Sequence, residues 1–432
     1  MLVLAASLLT AITLAGLVLT AQFGLYAAFF SKPIIDATWD SYLAGVSLLH
    51  IVGVLFPTIV LLKSIFNKYT IAAMPLFWLW IIYCAYSALT FSGIAFQDSL
   101  ESWVDLTFRV LNGLAGYYAV QAYVSDPKRL KTFLAVLIAA GIFPMSIGVY
   151  QIFTGVVWRE NVTGELIRNI GLYHDAVAIR SFAFQTLAAI FLYLAYFCPS
   201  AAAVKRFLLI SFAFVVVIVQ YRAYSKAATV IILLWLLIWA VSFRRILKTT
   251  FLIFAGCVIG AIYYDEIAAD ITELFSKEIT AAESENVDAW TLQRTLTGRG
   301  FSWYGAIDHF SQRSFFEQMF GDGNPANIHN DYLAKLLAGG VVGLLIYLGL
   351  LIAMGMRLIA NWHRRRTPLD VMGVMVFVML LIDSMGIHVT LYTSYQWFAW
   401  GIIGLALRGV EVPAPAKRAV AGRPVGLLQR SK

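Results

Sequence analysis

Residues 329–351 read HNDYLAKLLAGGVVGLLIYLGLL. After its first seven positions this stretch carries no charge, and the uncharged run continues to Met356. Roughly 20 consecutive apolar residues in a helix cross a bilayer core, so residues 332–356 are expected to span a membrane. Worked outward, the same test divides the chain into about twelve spans. They lie near 3–29, 41–62, 71–95, 105–124, 132–154, 181–198, 207–221, 225–243, 249–264, 332–356, 370–388 and 390–408. Composition agrees: 60% of residues are apolar, 15% aromatic and 13% charged, with a mean hydropathy of +0.78. An ordinary soluble domain carries about 25% charged residues. Disorder, a coiled coil and a disulfide-stapled module are thereby excluded. The expected fold is an all-α polytopic membrane protein.

The charges set its expected orientation. The chain has 432 residues, a net charge of +8 and a pI near 9.3, which in so apolar a chain points to loops beside anionic lipid rather than to nucleic acid. One set of connections, together with the C-terminal tail, gathers 20 of the 32 basic residues, among them Lys63, Arg129, Lys205, Arg364–Arg366 and Arg408. That set includes only three acids, Asp126, Asp370 and Glu411, whereas the opposite face holds 20 of the 24 acids. By the positive-inside rule the basic face is cytoplasmic, and both termini are expected there. Residues 1–264 then form spans one to nine, 265–330 a long outer loop, 331–408 the last three spans and 409–432 a flexible basic tail. The N-terminal stretch lacks a basic leader, so it is expected as a retained first span. Cys84, Cys198 and Cys257 sit in apolar surroundings and are expected as buried small hydrophobes.

No phosphate loop, dinucleotide fingerprint, HExxH or GxSxG motif stands in a plausible context, and no DxD pair offers a carboxylate clamp for metal. Neither a metal nor a cofactor is expected. Chemistry would then fall on the outer face, on a substrate that arrives already activated. There, basic residues are costly unless they meet an anion or a partner. Arg222 and Lys226 occupy a very short outer turn, where they serve as snorkelling or paired residues or as a phosphate site. Arg299 and Arg294 lie in the long loop, with Trp303 four residues after Arg299, and Arg180 begins span six. Arg109 lies about a turn from Asp105, and Asp383 is isolated mid-span. His329 opens span ten, where an imidazole acts as base or acid near neutral pH. Phe301, Tyr304, Ile307 and Phe310 are spaced for a short helix lying on the membrane surface. Gly339 and Gly343 form a small-xxx-small pair suited to close helix approach.

The segment that opens with His329 and Asn330 resembles the histidine-led signature of the O-antigen ligase and polysaccharide polymerase superfamily. RGFSWYGAIDHF, followed by FGDGNP, is similar to that family's Arg-x-x-x-Trp helix and glycine turn. YRAYSKAATVIILL stands where the family carries a Ser-Arg-Gly-Ala-like turn, with Arg222 at the arginine position but Tyr221 and Ala223 departing from the pattern. AIRSFAF resembles the segment before span six without its Pro-Asn pair. The resemblance covers roughly residues 170–355 and implies a GT-C-like membrane glycosyltransferase of the bacterial inner membrane, working on the periplasmic side without metal or ATP.

It implies an undecaprenyl-pyrophosphate-linked glycan as donor and a saccharide acceptor, either a lipid-linked repeat unit (polymerase) or lipid A-core (ligase). His329, Arg299 and Arg222 become the catalytic candidates; Arg180, Lys226, Arg294, Trp303 and Asn330 become substrate contacts. A flippase and a chain-length regulator are the implied partners, besides membrane lipids, and no nucleic acid is. A polymerase is the favoured reading and a ligase its alternative. A transporter or lipid-linked glycan flippase is the competing class, disfavoured because paired repeats and interrupted midplane helices are missing from the sequence.

Overall fold

The computed structural model describes residues 1–43, 45–97, 100–163, 166–199, 201–243, 265, 268–275, 299–326 and 328–411. The expected ninth span at 249–264, Arg294, Cys257 and most of the tail lie outside them. The described chain is built of helices: α1 (Leu2–Leu19), α2 (Ala21–Asp36), α3 (Leu48–Ser64), α4 (Phe77–Gln97), α5 (Leu100–Tyr123), α6 (Pro127–Thr154) and α7 (Ala176–Phe197). There follow α8 (Ala203–Arg222), α9 (Lys226–Ser242), α10 (Arg299–Ser311), α11 (Phe315–Phe320), α12 (Asp331–Arg365), α13 (Pro368–Gly386) and α14 (Thr393–Arg408). Residues 268–275 are also helical. Two tiny antiparallel hairpins interrupt them, β1 (Tyr42–Leu43) with β2 (Val46–Ser47) and β3 (Val162–Thr163) with β4 (Leu166–Ile167).

Six of these helices, α1, α6, α7, α8, α12 and α13, are long and apolar enough to cross a membrane. Their outer faces suit that medium. On α8, Val204, Phe207, Leu208 and Phe214 are all exposed, an apolar surface of the kind that faces lipid or a partner. The chain is a helical membrane protein. At its centre stands α14, buried on every side against α5, with Trp397 Nε1 donating to Asn112 Oδ1 at 2.8 Å. A helix that is apolar all round belongs in such a position.

Contacts sort the helix ends into two levels. At one, Lys63 reaches the Val18 carbonyl, Tyr26 donates to the Arg129 carbonyl at 3.2 Å, and Arg408 bonds the Gln121 carbonyl while lying 4.1 Å from the Tyr69 ring centre. Arg365 bonds Asp370 there as well. These are the basic residues expected to share a face. The other level holds Trp39, His174, Asp175, His329 and Tyr392.

The first expected span is a correction. Residues 3–29 are not one helix, because the chain breaks at Thr20, whose backbone is extended, and α2 folds back along α1. Thr13 and Ser31 hydroxyls meet at 3.0 Å across the pair, and Leu2 packs against the cluster that includes Ala37 and Tyr173. The N-terminus therefore lies at the level opposite Arg408, not beside the C-terminus as expected. Its misplacement has a plain cause: residues 1–31 carry no charged side chain, so the charge rule is silent about α1.

The segment 329–351 contains a break in its helix. Within α12, Gly340 has φ +63° and ψ −167°, a region open essentially only to glycine. The break frees carbonyls that the preceding loop uses. Arg313 donates to Leu337 O at 2.6 Å, the Gly323 amide to Ala338 O at 2.9 Å and Tyr86 to Gly339 O at 2.7 Å. Gly339 and Gly343 do admit a close neighbour, the Tyr86 ring of α4. A Cβ on Gly340 would lie 2.4 Å from the Met319 carbonyl carbon. Gly340→Ala is expected to cost about 1–3 kcal/mol in backbone strain alone and to unfasten α10 and α11. A lowered Tm together with new proteolysis within residues 299–326 would show it; an unchanged Tm would refute it.

Helix α10 forms where the spacing predicts, with one adjustment. Phe301, Tyr304 and Ile307 form an exposed apolar face, as a helix resting on lipid requires. Phe310 instead joins Trp303 and Ala306 against Ile328, Ala334 and Leu337, fastening α10 to the start of α12.

Candidate active site

Local capping places the side chains at the level opposite Arg408. Asp175 opens α7, its Oδ1 accepting from the amides of Val177 and Ala178 at 2.9 and 3.1 Å. Ser225 opens α9, and Asn330 opens α12 by accepting from the Leu333 amide at 3.0 Å. Asn330, expected as a substrate contact, is thus occupied as a helix cap. Trp303 packs in the seam between α10 and α12, with its buried Nε1 unbonded.

Arg180 lies in the first turn of α7 and is buried. Its Nη2 donates to Asp383 Oδ1 at 2.6 Å and its Nη1 to Ser225 Oγ at 2.8 Å, so one guanidinium ties α7, α13 and the α8–α9 turn together. Asp383, isolated in the sequence, has found its counter-ion. Arg109 similarly pairs with Asp105 at 2.5 Å.

Arg299 begins α10 above the end of α13, where a Cβ added to Gly386 would stand 3.2 Å from its Nη1. Arg168 follows β4 and was passed over in the sequence. Its backbone is pinned by Arg168 N to Asn161 O at 2.8 Å and by the next residue, whose amide donates to the Arg222 carbonyl at 2.9 Å. Its Nε is buried without a hydrogen-bond partner. Among the described residues neither Arg168 nor Arg299 forms an ion pair. Burial depresses the pKa of both, and repulsion depresses it further: Arg299 and Arg180 act on Arg168, and Arg180 on Arg299. Three guanidiniums thus converge; Asp383 pairs with one, and Asp175 offsets part of the charge of Arg168 without forming an ion pair with it.

Beside them stand Asp175, His174 and Tyr392. Tyr392 donates to Asp175 Oδ2, and His174 Nδ1 lies 3.5 Å from the same oxygen. Burial works to raise the Asp175 pKa, yet hydrogen bonds from His174, Tyr392 and the Ala178 amide hold it below the usual carboxylate range. His329 precedes α12 and is open to solvent on one side. Partial desolvation lowers its pKa below the ordinary histidine value, the Arg299 charge lowers it further, and Asp175 opposes both. Its imidazole is therefore neutral near pH 7 and able to accept a proton.

Directly below, a second polar group was also missed. Asp331 accepts from Tyr347 at 2.8 Å, with His388 Nε2 at 3.4 Å and Lys335 Nζ at 3.9 Å from its other oxygen. All four are buried, which fixes the start of α12 to the turn before α14. The sequence signal was a carboxylate two residues after His329 with a lysine one turn on.

Arg222 and Lys226 are not in the cluster. The Arg222 side chain is 47% exposed and lies 3.7 Å from Asp270, which also accepts from Tyr221 and Tyr224 at 3.0 Å each. Lys226 stands 5.0 Å from the Phe275 ring centre. Both face the helical residues 268–275. The structure therefore brings together His329, Arg299 and Arg180, adds Arg168, and sets Arg222 and Lys226 at the rim.

Chemically, this is positive charge in excess of its partners next to a neutral base. A di- or trianion would supply the missing negative charge through planar, bidentate contacts. Among the described residues no group of three His, Cys, Asp or Glu side chains is arranged to hold a metal ion. No protein-family model matches the chain, and no curated protein matches it.

Proposed function

We propose that the chain is a membrane glycan transferase whose donor is an oligosaccharide linked to undecaprenyl pyrophosphate. Its favoured activity is joining repeat units, as a polysaccharide polymerase, at the outer face of a bacterial inner membrane. The observation that carries this reading is the pair of arginines without ion pairs among the described residues, Arg168 and Arg299, beside the neutral His329. The family resemblance of the His329 segment supports it independently. On this reading the Arg408 level faces the cytoplasm, and the arginine cluster, with the N-terminus, faces outward.

The chemistry is a displacement at the anomeric carbon. His329 takes the proton of an acceptor hydroxyl as its oxygen forms the new glycosidic bond. The bond from that carbon to the diphosphate oxygen breaks, and the electron pair leaves with the diphosphate. Arg168 and Arg299 stabilise the charge that develops there, the role that preorganised cations play in phosphoryl and acyl transfer. His329 then returns its proton to the diphosphate or to solvent. The leaving group carries the driving force, so no nucleotide is consumed. A ligase would use the same residues with lipid A-core as acceptor.

The pH profile tests the base. Because the His329 pKa is depressed, kcat/KM should rise with pH through a value below the ordinary histidine one and stay flat above it. His329→Ala should lower kcat/KM about 10²–10⁴-fold and remove that acidic limb. The assay is purified protein with a defined lipid-linked repeat unit. Lengthening products indicate polymerase; dependence on added lipid A-core indicates ligase. An acidic limb that persists in His329→Ala would assign the proton to another group.

A further inference from the structure

A cleft of about 400 Å³ opens at the same level, lined in part by His174 and by Tyr392, which also stands near Arg180 and Arg299. Its walls come from the end of α2, the β1–β2 hairpin, the start of α3, the first half of α5 and the turn before α14. Nothing in the proposed reaction uses it. Four observations define what it accepts.

Its charges are already matched. Asp36 pairs with the buried Lys32 at 2.5 Å, and Asp105 with Arg109 at 2.5 Å. A diphosphate would meet two carboxylates, and a cation two fixed positive charges. The Lys32–Asp36 pair is itself expensive to bury and contributes little net stability, so packing does not account for its place at a cleft wall. Next, the half-buried indole of Trp39 is held from two sides, with the Arg159 guanidinium 4.2 Å from its ring centre and the His174 ring 4.8 Å away edge-on. The Thr393 hydroxyl is buried at the wall without a hydrogen-bond partner, and such orphans are rare unless something else bonds them. Finally, the volume falls at the small end of ordinary ligand pockets and is enough for one or two pyranose rings.

A rigid aromatic edge, paired carboxylates with oxygens to spare and an unbonded hydroxyl suit a neutral polyhydroxylated ligand. Its C–H groups would lie against the part of the indole that Arg159 and His174 leave open and its hydroxyls on Asp36, Asp105 and Thr393. A polyprenyl chain would bury the two ion pairs against hydrocarbon and leave Thr393 unbonded. We infer that this cleft binds the acceptor saccharide, delivering its hydroxyl past Tyr392 and His174 to His329. The acceptor role rests on the transferase reading; the capacity to bind saccharide does not.

The test separates the two. Purified full-length protein is presented with a mixture of maltose, cellobiose, chitobiose, lactose and rhamnobiose, and binding is read by saturation-transfer NMR. At least one disaccharide should bind, with affinity at least tenfold weaker in Trp39→Ala, at least threefold weaker in Thr393→Val and unchanged in Arg168→Gln. In transfer assays Trp39→Ala should raise the acceptor KM at least tenfold and leave the donor KM within twofold. Saccharide binding without donor turnover by the wild type would uphold the cleft and overturn the transferase reading. Absence of binding by all five sugars, or equal binding by wild type and Thr393→Val, would overturn the cleft, even should Trp39→Ala fail to assemble.

Discussion

Arg168→Gln is expected to lower kcat/KM for the lipid diphosphate donor about 10²–10³-fold, the usual loss when one preorganised charge at a leaving group is removed. Arg299→Gln should lose a similar amount, and the double variant less than the product of the two, because both act on one group. Arg222→Gln should lose less than about fivefold, since its exposed ion pair with Asp270 is worth little. Stability separates this effect from damage to the fold. Arg168 and Arg299 stand near enough to each other and to Arg180 to repel, and neither forms an ion pair among the described residues, Asp175 offsetting only part of the charge on Arg168. Removing one relieves repulsion, so each single variant should keep or raise the Tm while losing activity. That opposition of stability and activity marks a binding site held ready at a cost to the fold. Initial rates at varied donor concentration, with Tm measured on the same preparations, decide the matter. A wild-type rate in Arg168→Gln, or a larger loss in Arg222→Gln, would return the diphosphate to the α8–α9 turn.

The sequence offers Arg222 as a candidate, whereas the structure sets Arg168 near Arg299 and turns Arg222 to Asp270, and this difference shows where linear reading stops. Apolar runs, charge asymmetry and turn residues are local quantities, and they suffice for α7, α12 and α13 and for the basic level that gathers Lys63, Arg129, Arg365 and Arg408. They also place His329 just before α12, because a polar head on a long apolar run must sit at an interface. They fail where two elements must be placed relative to each other. Arg168 stands in a loop, and long-range bonds of its neighbour Asn169, to the Arg222 and Gly148 carbonyls, help bring it to the cluster. The direction of the Arg222 side chain depends on Asp270, 48 residues away in sequence. The break at Thr20 interrupts an apolar run with no charge or proline to announce it, only Gly16 and Gly24 to either side. Both Arg180 and Asp383 were visible as costly charges in apolar surroundings, yet their pairing across 203 positions was not.

The pairing of Arg180 with Asp383 leads to the largest expected effect on stability. Asp383→Ala leaves a buried guanidinium with only Ser225 for company and should cost about 3–5 kcal/mol. Arg180→Met alone strands the carboxylate and should cost a similar amount. The double variant Arg180→Met, Asp383→Leu removes both charges and fills the space. It should recover most of the loss, because a buried pair replaced by apolar groups of like volume is often neutral. The cycle then yields the coupling between the two sites directly. It also decides what Arg180 does. With both of its described bonds given to Asp383 and Ser225, Arg180 has little left for a diphosphate, and it acts by holding the α8–α9 turn against α13 beneath Arg299. The refolded double variant should therefore keep transfer within about tenfold of wild type, far above the loss expected of a direct charge contact. Recovery of stability with transfer still down a hundredfold would instead make Arg180 a third cation on the diphosphate, with Asp383 the counter-ion it exchanges when the donor binds.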